Sequence, residues 1–394
     1  FRAGYAKRPF QHQLTITLWG EPTADDIPDP KTGEPLQNSL GHAMGSKVIG
    51  VMAKGDAVTD KWCNSNAEGK SECMDHAVLE LHGKYEQIKP TWTSLGKSAV
   101  KGDTTITMKE KVAWSAGNEI VIAGSDWFDS ETSKEEVAVI KSVSADGLTL
   151  VLTAPLTYFH YGELQTYPKG RVLDERAEVG LLSRNIVIQG DESTKASYFG
   201  GHVMIMEGAV GRIEGVELRD VGQARLGRYP IHFHCFNNAP MGDLSYVRGN
   251  VVHRSWNRAY TLHAVHNLVV EDNIAFDVVG HAFFIEDGFE TGNVLKHNMA
   301  LRVRRPAEIC EPIAVWTKTT TKGTDAWGKE TSTVKKEVTC SKQLTFSKIL
   351  VRGKGVPSFH GLHSGGFGND RSHGRSKALG DEQDWTAGGF ASYS

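Results

Sequence analysis

Cysteine is scarce: five in 394 residues, at Cys63, Cys73, Cys235, Cys310 and Cys340. None of them forms a C-x2-C pair, so the common zinc-ribbon and zinc-finger spacings are excluded. There is no N-x-S/T sequon, so N-glycosylation gives no support for secretion. No apolar run approaches the ~18 residues that a membrane-spanning helix needs. Neither sign of charge dominates, with a formal net charge of −3, and nothing in that balance suggests a nucleic-acid partner. Helical periodicity is thin. The chain starts at Phe1 with no recognisable signal peptide, which reads as a processed or partial chain.

Glycine is abundant, with 42 residues, set between short apolar runs. This pattern reads as an all-β chain with many turns. QLTITLWG, SKVIGVMAKG and AVLELHGK near the beginning are strands that end at glycine. From 91 to 165 the runs TTITM, NEIVIAG, EEVAVIKSV and LTLVLTAPL are separated by turns such as ADG. We expect an inserted small antiparallel barrel or sandwich there. From 166 to 305 the pattern becomes repetitive. SYVRGNVVHRSWNRAYTLHA lies over NLVVEDNIAFDVVGHAFFIED when Asn250 is set on Asn273, and a third copy brings Asn298 to the same place after a small insertion. A repeat of roughly 20–25 residues with strands in every turn predicts a parallel β-helix. The recurring asparagines predict a ladder of stacked amides. Residues 306–394 read as an irregular Thr/Lys loop followed by a Gly/Ser/His-rich tail. For the cysteines two readings stay open: loop-closing disulfides Cys63–Cys73 and Cys310–Cys340 with Cys235 unpaired, or five reduced thiols.

The order of motifs carries a resemblance. AKRPFQHQLTITLWG, LELHGK, TWTSL, GDTTITM, LTAPLTYFHYGE, RAEVGLLSRNIVIQGD, GQARLGRYPIHFH and GHAFFIEDGFETGNVLKHN follow one another over roughly residues 1–301. The series resembles the family of the cell-migration-inducing hyaluronan-binding protein, its transmembrane relative and fibrocystin-L. The resemblance implies an extracellular or cell-surface, right-handed parallel β-helix that follows a glycine-eight domain, whose end would fall within residues 1–90. Two members are associated with binding and depolymerising hyaluronan; fibrocystin-L is a large receptor-like protein. A polysaccharide is therefore the implied partner, and a glycoside hydrolase the implied enzyme class.

Within GRYPIHFHC, His232 and His234 leave the same face of a strand. Stacking the repeats at an offset of 23 puts His263 over Glu286, Tyr260 over Phe283 and Arg258 over His281. Dropping one residue at Pro230 is taken to bring His232 over His263, which predicts a column His232–His263–Glu286. Asp287 and Glu290 add carboxylates beside the apolar FFI run. Three kinds of work suit this set. Glu286 or Asp287 can act as acid or nucleophile in glycoside hydrolysis, oriented by His232 and His263. Arg228, Tyr229, Arg258, Tyr260 and His281, with Trp256 nearby, can hold an acidic sugar without chemistry. H-x-H with a carboxylate can bind a divalent metal, although no residue is assigned as a metal ligand and no cofactor is assigned. Two bland readings stand beside these. The column can be a purely structural stack, and the chain a non-catalytic protein that self-associates through its helix, for example into filaments.

Overall fold

The computed structural model describes residues 1–21, 45–51, 77–125, 134–223, 227–236, 244–304, 310–324 and 330–343, the last two stretches as backbone. Three parallel sheets wrap one core. Each rung of chain visits them in the same order. One rung consists of His202–Met206, Val210–Glu214 and Val216–Val221. The next is Ile231–His234, Tyr246–Arg248 and Val251–Ser255. Then come Tyr260–Leu262, Val269–Glu271 and Ile274–Val279, followed by Phe283–Ile285, Val294–Lys296 and Met299–Arg304. Earlier rungs add Val48–Val51 to the first sheet, Arg2–Ala3 and Val78–His82 to the second, and Leu14–Leu18 and Ile186–Gly190 to the third. The chain is thus the parallel β-helix its repeats predict. Inward residues alternate with outward ones, and Ile213, Ile231, Phe233, Val247, Leu262, Val270 and Phe283 fill the axis.

Register follows the offset read from the sequence. Tyr260 pairs with Phe283 and Val251 with Ile274. In the next rung Ile274 pairs with Met299, two residues further on. The small insertion therefore sits between Ile285 and Val294, in the loop that carries Glu286 and Asp287.

The corner between second and third sheets is tight. It places Gly249, Asp272 and His297 in the left-handed region at φ of 59°, 57° and 50°. Each is followed by an asparagine of the predicted ladder. Asn250 donates to Asn273 Oδ1 at 3.0 Å, and Asn273 donates to Asn298 Oδ1 at 3.0 Å. Gly249 is required twice over, because an added Cβ would stand 2.0 Å from the Tyr85 ring.

At this same corner, between Val78–His82 and Ile186–Gly190, the chain leaves the helix to build an antiparallel sheet. Its strand order is Trp92–Ser94, Glu178–Leu181, Glu119–Ile122, Glu136–Val143, Thr149–Leu152, Thr105–Thr107. Glu178–Leu181 lies beyond the expected boundary at 165. It reads locally like a helix strand, yet it returns to pair with both Trp92–Ser94 and Glu119–Ile122. Ile120, Val121, Leu150, Val179 and Leu181 share one core with Val251, Ile274, Phe276 and Met299 of the third sheet. The inserted sheet is therefore packed against the helix.

The Thr/Lys segment departs from expectation. Instead of an irregular loop, Cys310–Thr324 and Glu330–Gln343 pair as a long antiparallel hairpin. Threonine is β-branched and favours this extended backbone. Cys310 stands opposite Gln343, and Cys340 opposite Pro312. Cys63, Cys73 and the Gly/Ser/His-rich tail lie outside the described residues.

Candidate functional site

The outer face of the first sheet carries an unusual concentration of ionisable groups. In Ile231–His234 the apolar pair Ile231 and Phe233 points to the axis, so alternation sends His232 and His234 outward. The pairing corrects the expected column. Ile231 lies beside Tyr260, His232 beside Thr261 and Phe233 beside Leu262. His232 is thus not in register with His263; His234 is. Pro230 is indeed an extra residue, since three steps separate Arg228 from Ile231 where two separate Arg258 from Tyr260. Removing it aligns the inward apolar residues, and that sets His234 on His263. Ile285 pairs with Leu262, so Glu286 follows on the next rung. The backbone column is His234–His263–Glu286.

His232 joins the group from the side. Its ring lies parallel to that of His263, with centroids 5.8 Å apart and an interplanar angle of 8°. Its Nε2 stands 3.6 Å from Glu286 Oε2, and His263 Nδ1 stands 3.5 Å from the same oxygen. His234 Nδ1 is 3.1 Å from His263 Nδ1. His263 Nε2 faces Asp287 Oδ2 at 3.3 Å. Cys235 Sγ lies 3.6 Å from both ring nitrogens of His234. The backbone ends both strands the same way, with Cys235 at φ 52° and Ala264 at φ 54°. The Ala264 N–H is tied to Glu290 Oε1 at 3.0 Å, and that oxygen also accepts from Asp287 N–H at 3.1 Å. Glu290 therefore braces the loop rather than entering the cluster.

Burial grades the site from floor to mouth. His232 is fully buried, Glu286 and His263 nearly so, and His234, Cys235 and Asp287 are half-buried. Burial, then the nearby His234 and His263, hold the His232 imidazole well below the usual histidine range, so it is neutral. Burial, with Glu286 and Asp287 adding to it, pushes the Cys235 thiol up to about 12.

The residues expected to hold a sugar are placed differently. Tyr260 belongs to the core and donates its hydroxyl to Ile274 O at 3.0 Å. Arg228, Tyr229, Arg258 and His281 are all buried. Arg228 donates to Gln223 Oε1 at 2.8 Å. Arg258 bonds the Tyr229 hydroxyl and stacks over the Phe284 ring at 4.1 Å. Tyr229 packs behind His232, with ring centroids 4.7 Å apart, and Arg258 is bonded behind Tyr229 in turn. They are not free to reach a ligand at the surface. His234 and Cys235 are the residues the sequence reading undervalued. The signal for His234 was the alternation itself: matching inward Ile231 and Phe233 to Tyr260 and Leu262 leaves no other partner for His263.

A cleft of about 620 Å³ lies elsewhere, lined by Trp92, Lys109, Glu110, Asp174, Arg176 and His297. It sits between the inserted sheet and the corner between second and third sheets, and it has none of the histidine cluster's residues.

Comparison with known proteins agrees with the fold. Residues 198–347 match the family model described as CEMIP beta-helix. Mouse fibrocystin-L is 36% identical over 359 residues, covering 79% of this chain and 7% of the relative. Human fibrocystin-L is 35% identical over the same length. A G8 domain-containing protein of Dictyostelium discoideum is 40% identical over 223 residues, 56% of this chain and 18% of that protein. The chain thus spans only a small part of the relatives it matches. Among solved structures, similarity extends to the tailspike gp49 of Pseudomonas phage LKA1, at 12% identity and TM-score 0.19 over 52% of this chain and 41% of that one. It extends also to the gp54 tailspike of Acinetobacter baumannii bacteriophage AP22, solved with a capsular saccharide, at 11% identity and TM-score 0.18 over 56% and 47%. In motif order and sequence, residues 198–347 thus match the CEMIP beta-helix family, and over most of its length the chain is similar to fibrocystin-L and the G8 domain-containing proteins.

Proposed function

We propose that this β-helix binds an acidic polysaccharide, of the hyaluronan type that the family resemblance implies, across the mouth of the His234–His263–Glu286 column. The observation that carries this reading is the grading of that column: a buried, neutral floor at His232 opens through half-buried His234 and Asp287 to the surface. Phe289, 54% exposed, stands in the loop immediately beyond, with its ring 5.9 Å from that of His266. An exposed aromatic face beside polar groups is what a sugar ring packs against. In the hydrolytic form of the reading, Asp287 or Glu286 is the acid or nucleophile. His263, which touches both, and His232 position them. Arg228 and Arg258 are buried and act only in packing. The same reading places the chain outside the cell or at its surface, where bridges Cys63–Cys73 and Cys310–Cys340 would persist.

The test is binding and chain length together. Immobilised hyaluronan and chondroitin sulfate should retain the protein saturably. Phe289→Ala and Asp287→Asn should weaken retention severalfold while leaving the melting temperature nearly unchanged. Retention by neither polymer, at any salt or pH where the protein is folded, would sink the reading. Shortening of the polymer that is lost in Glu286→Gln would identify the hydrolytic form, and unchanged chain length the binding form.

A further inference from the structure

We infer that His232, His234, His263 and Glu286 form a binding site for one divalent transition metal of the zinc type. The site shares residues with the polysaccharide reading, yet its evidence and its test stand without it.

The donors are close together. One ligand nitrogen from each of His232, His234 and His263 lies within 4.8 Å of the other two. The closest approaches among the four side chains are 3.1 Å for His234–His263, 3.5 Å for His263–Glu286 and 3.6 Å for His232–Glu286. Donors bound tetrahedrally at ~2.0–2.1 Å from one zinc stand ~3.3 Å from each other. The three histidines are therefore gathered closely enough for one ion to draw them together, and the Glu286 carboxylate lies against two of them.

The far ring nitrogens of two of the histidines have partners that fix their tautomers. His232 Nδ1 lies 2.8 Å from the Gly227 carbonyl, which can only accept, so Nδ1 carries the proton. Nε2 is left with its lone pair. That atom is buried, makes no hydrogen bond, and faces Glu286. His263 is fixed in the same way from the other side: Nε2–H points to the Asp287 carboxylate, leaving the Nδ1 lone pair toward His234 and Glu286. A ligand histidine with its far N–H held by a carbonyl or a carboxylate is the usual outer-shell arrangement of a metal site. Three imidazoles also select for zinc, copper or nickel over calcium or magnesium, which prefer oxygen.

The donors come from three successive rungs, so the ion would pin them in register on the outer face, where the strands are only three or four residues long. Cys235 Sγ lies within 3.8 Å of the histidines. Cys235 is not among the three residues whose ligand atoms all lie within 4.8 Å of one another. Half-buried His234 lies at the solvent side, where ions enter.

The experiment strips the purified chain with chelator, confirms its β-sheet spectrum, and titrates zinc by calorimetry and cobalt by visible absorption, without polysaccharide. We expect one ion per chain and the visible bands of four-coordinate cobalt. His234→Gln, at the accessible end of a strand, should weaken uptake at least tenfold in a protein that still folds, and His263→Gln should do the same. His266→Asn, outside the set, should change nothing. A folded wild-type chain that takes up neither ion, or that binds equally well after His234→Gln, overturns the site. A thiolate-to-cobalt band that disappears in Cys235→Ser overturns the nitrogen–carboxylate ligand set. Because polysaccharide retention is read separately on chelated protein, failure of one reading does not decide the other.

Discussion

Asn273 is fully buried and its amide satisfies four partners. It donates to Val247 O at 2.9 Å and to Asn298 Oδ1 at 3.0 Å, and it accepts from the backbone and side-chain amides of Asn250 at 3.0 Å each. Asn273→Ala leaves a buried carbonyl and a buried N–H without partners. Each such orphan costs ~1–3 kcal/mol, so we expect a loss of about 3 kcal/mol or more in denaturant unfolding. Asn273→Asp, of the same shape, should lose a comparable amount, because it buries a charge and gives up both donations. Glu217 sets a residue-scale pH dependence. Burial raises its carboxyl, but the bonds from His253 at 3.1 Å, the nearby Arg219 and the Arg184 N–H outweigh burial and bring it below the usual glutamate range. A carboxyl depressed by folding stabilises above its unfolded pKa, and that stabilisation disappears as pH falls through the folded pKa. Glu217→Gln should therefore be less stable than wild type at neutral pH. The gap in melting temperature should close on acidification below the ordinary carboxylate range; a gap that widens there contradicts the assignment.

At the scale of the element, the third sheet has a stacked kink. Asp220, Arg254, Asp277 and Arg302 hold φ between 51° and 55° on four successive rungs, and the pairing skips over them. A left-handed bulky residue is costly alone. Stacked, the four alternate in charge: Arg254 pairs with Asp220 at 3.0 Å, and Asp277 with Arg302 at 3.2 Å and Arg304 at 2.7 Å. Arg254→Glu would place three acids in one column. Since the Arg254 side chain is 38% exposed, we expect a loss of roughly 1–2 kcal/mol, smaller at high salt, as judged by unfolding at two ionic strengths. This column, like the asparagine ladder, was present in the sequence, because its members keep the same offsets as Asn250, Asn273 and Asn298. The histidine column was harder to read. The offset there is changed by Pro230, and one residue of slip exchanges inward for outward side chains. Removing Pro230 sets Ile231 on Tyr260, as the pairing has it, and so His234 rather than His232 continues to His263. Burial of Arg228 and Arg258 was not legible at all. Arginine beside tyrosine reads as a surface for sugars until the tertiary wall that encloses it is known.

For the whole molecule, the question is whether the helix and the inserted sheet are two units or one. Local pattern separates them, since helix strands repeat and inserted strands do not. Contacts at long sequence separation join them. The third sheet turns Val251, Ile274, Phe276, Met299 and Leu301 outward into the core of the inserted sheet. Arg184, buried at the junction, donates from Nε to Gly249 O at 2.7 Å and from Nη1 to Leu181 O at 2.8 Å, tying the corner of the helix to the last strand of the insert. The Trp92 ring stacks on His297 at 4.4 Å, and its indole N–H donates to His297 O at 3.1 Å. The insert's core is completed by the outer face of the third sheet, so loosening that face should loosen the insert as well. Ile274 is fully buried in that shared core, and Ile274→Ala removes methylenes from it at a cost of ~2–5 kcal/mol. Hydrogen exchange followed by mass spectrometry should then show faster exchange in Glu119–Ile122 and Thr149–Leu152 as well as in Val251–Ser255, by similar factors. Acceleration confined to the helix strands would mean that the insert folds by itself and that its packing on the third sheet adds nothing to its stability.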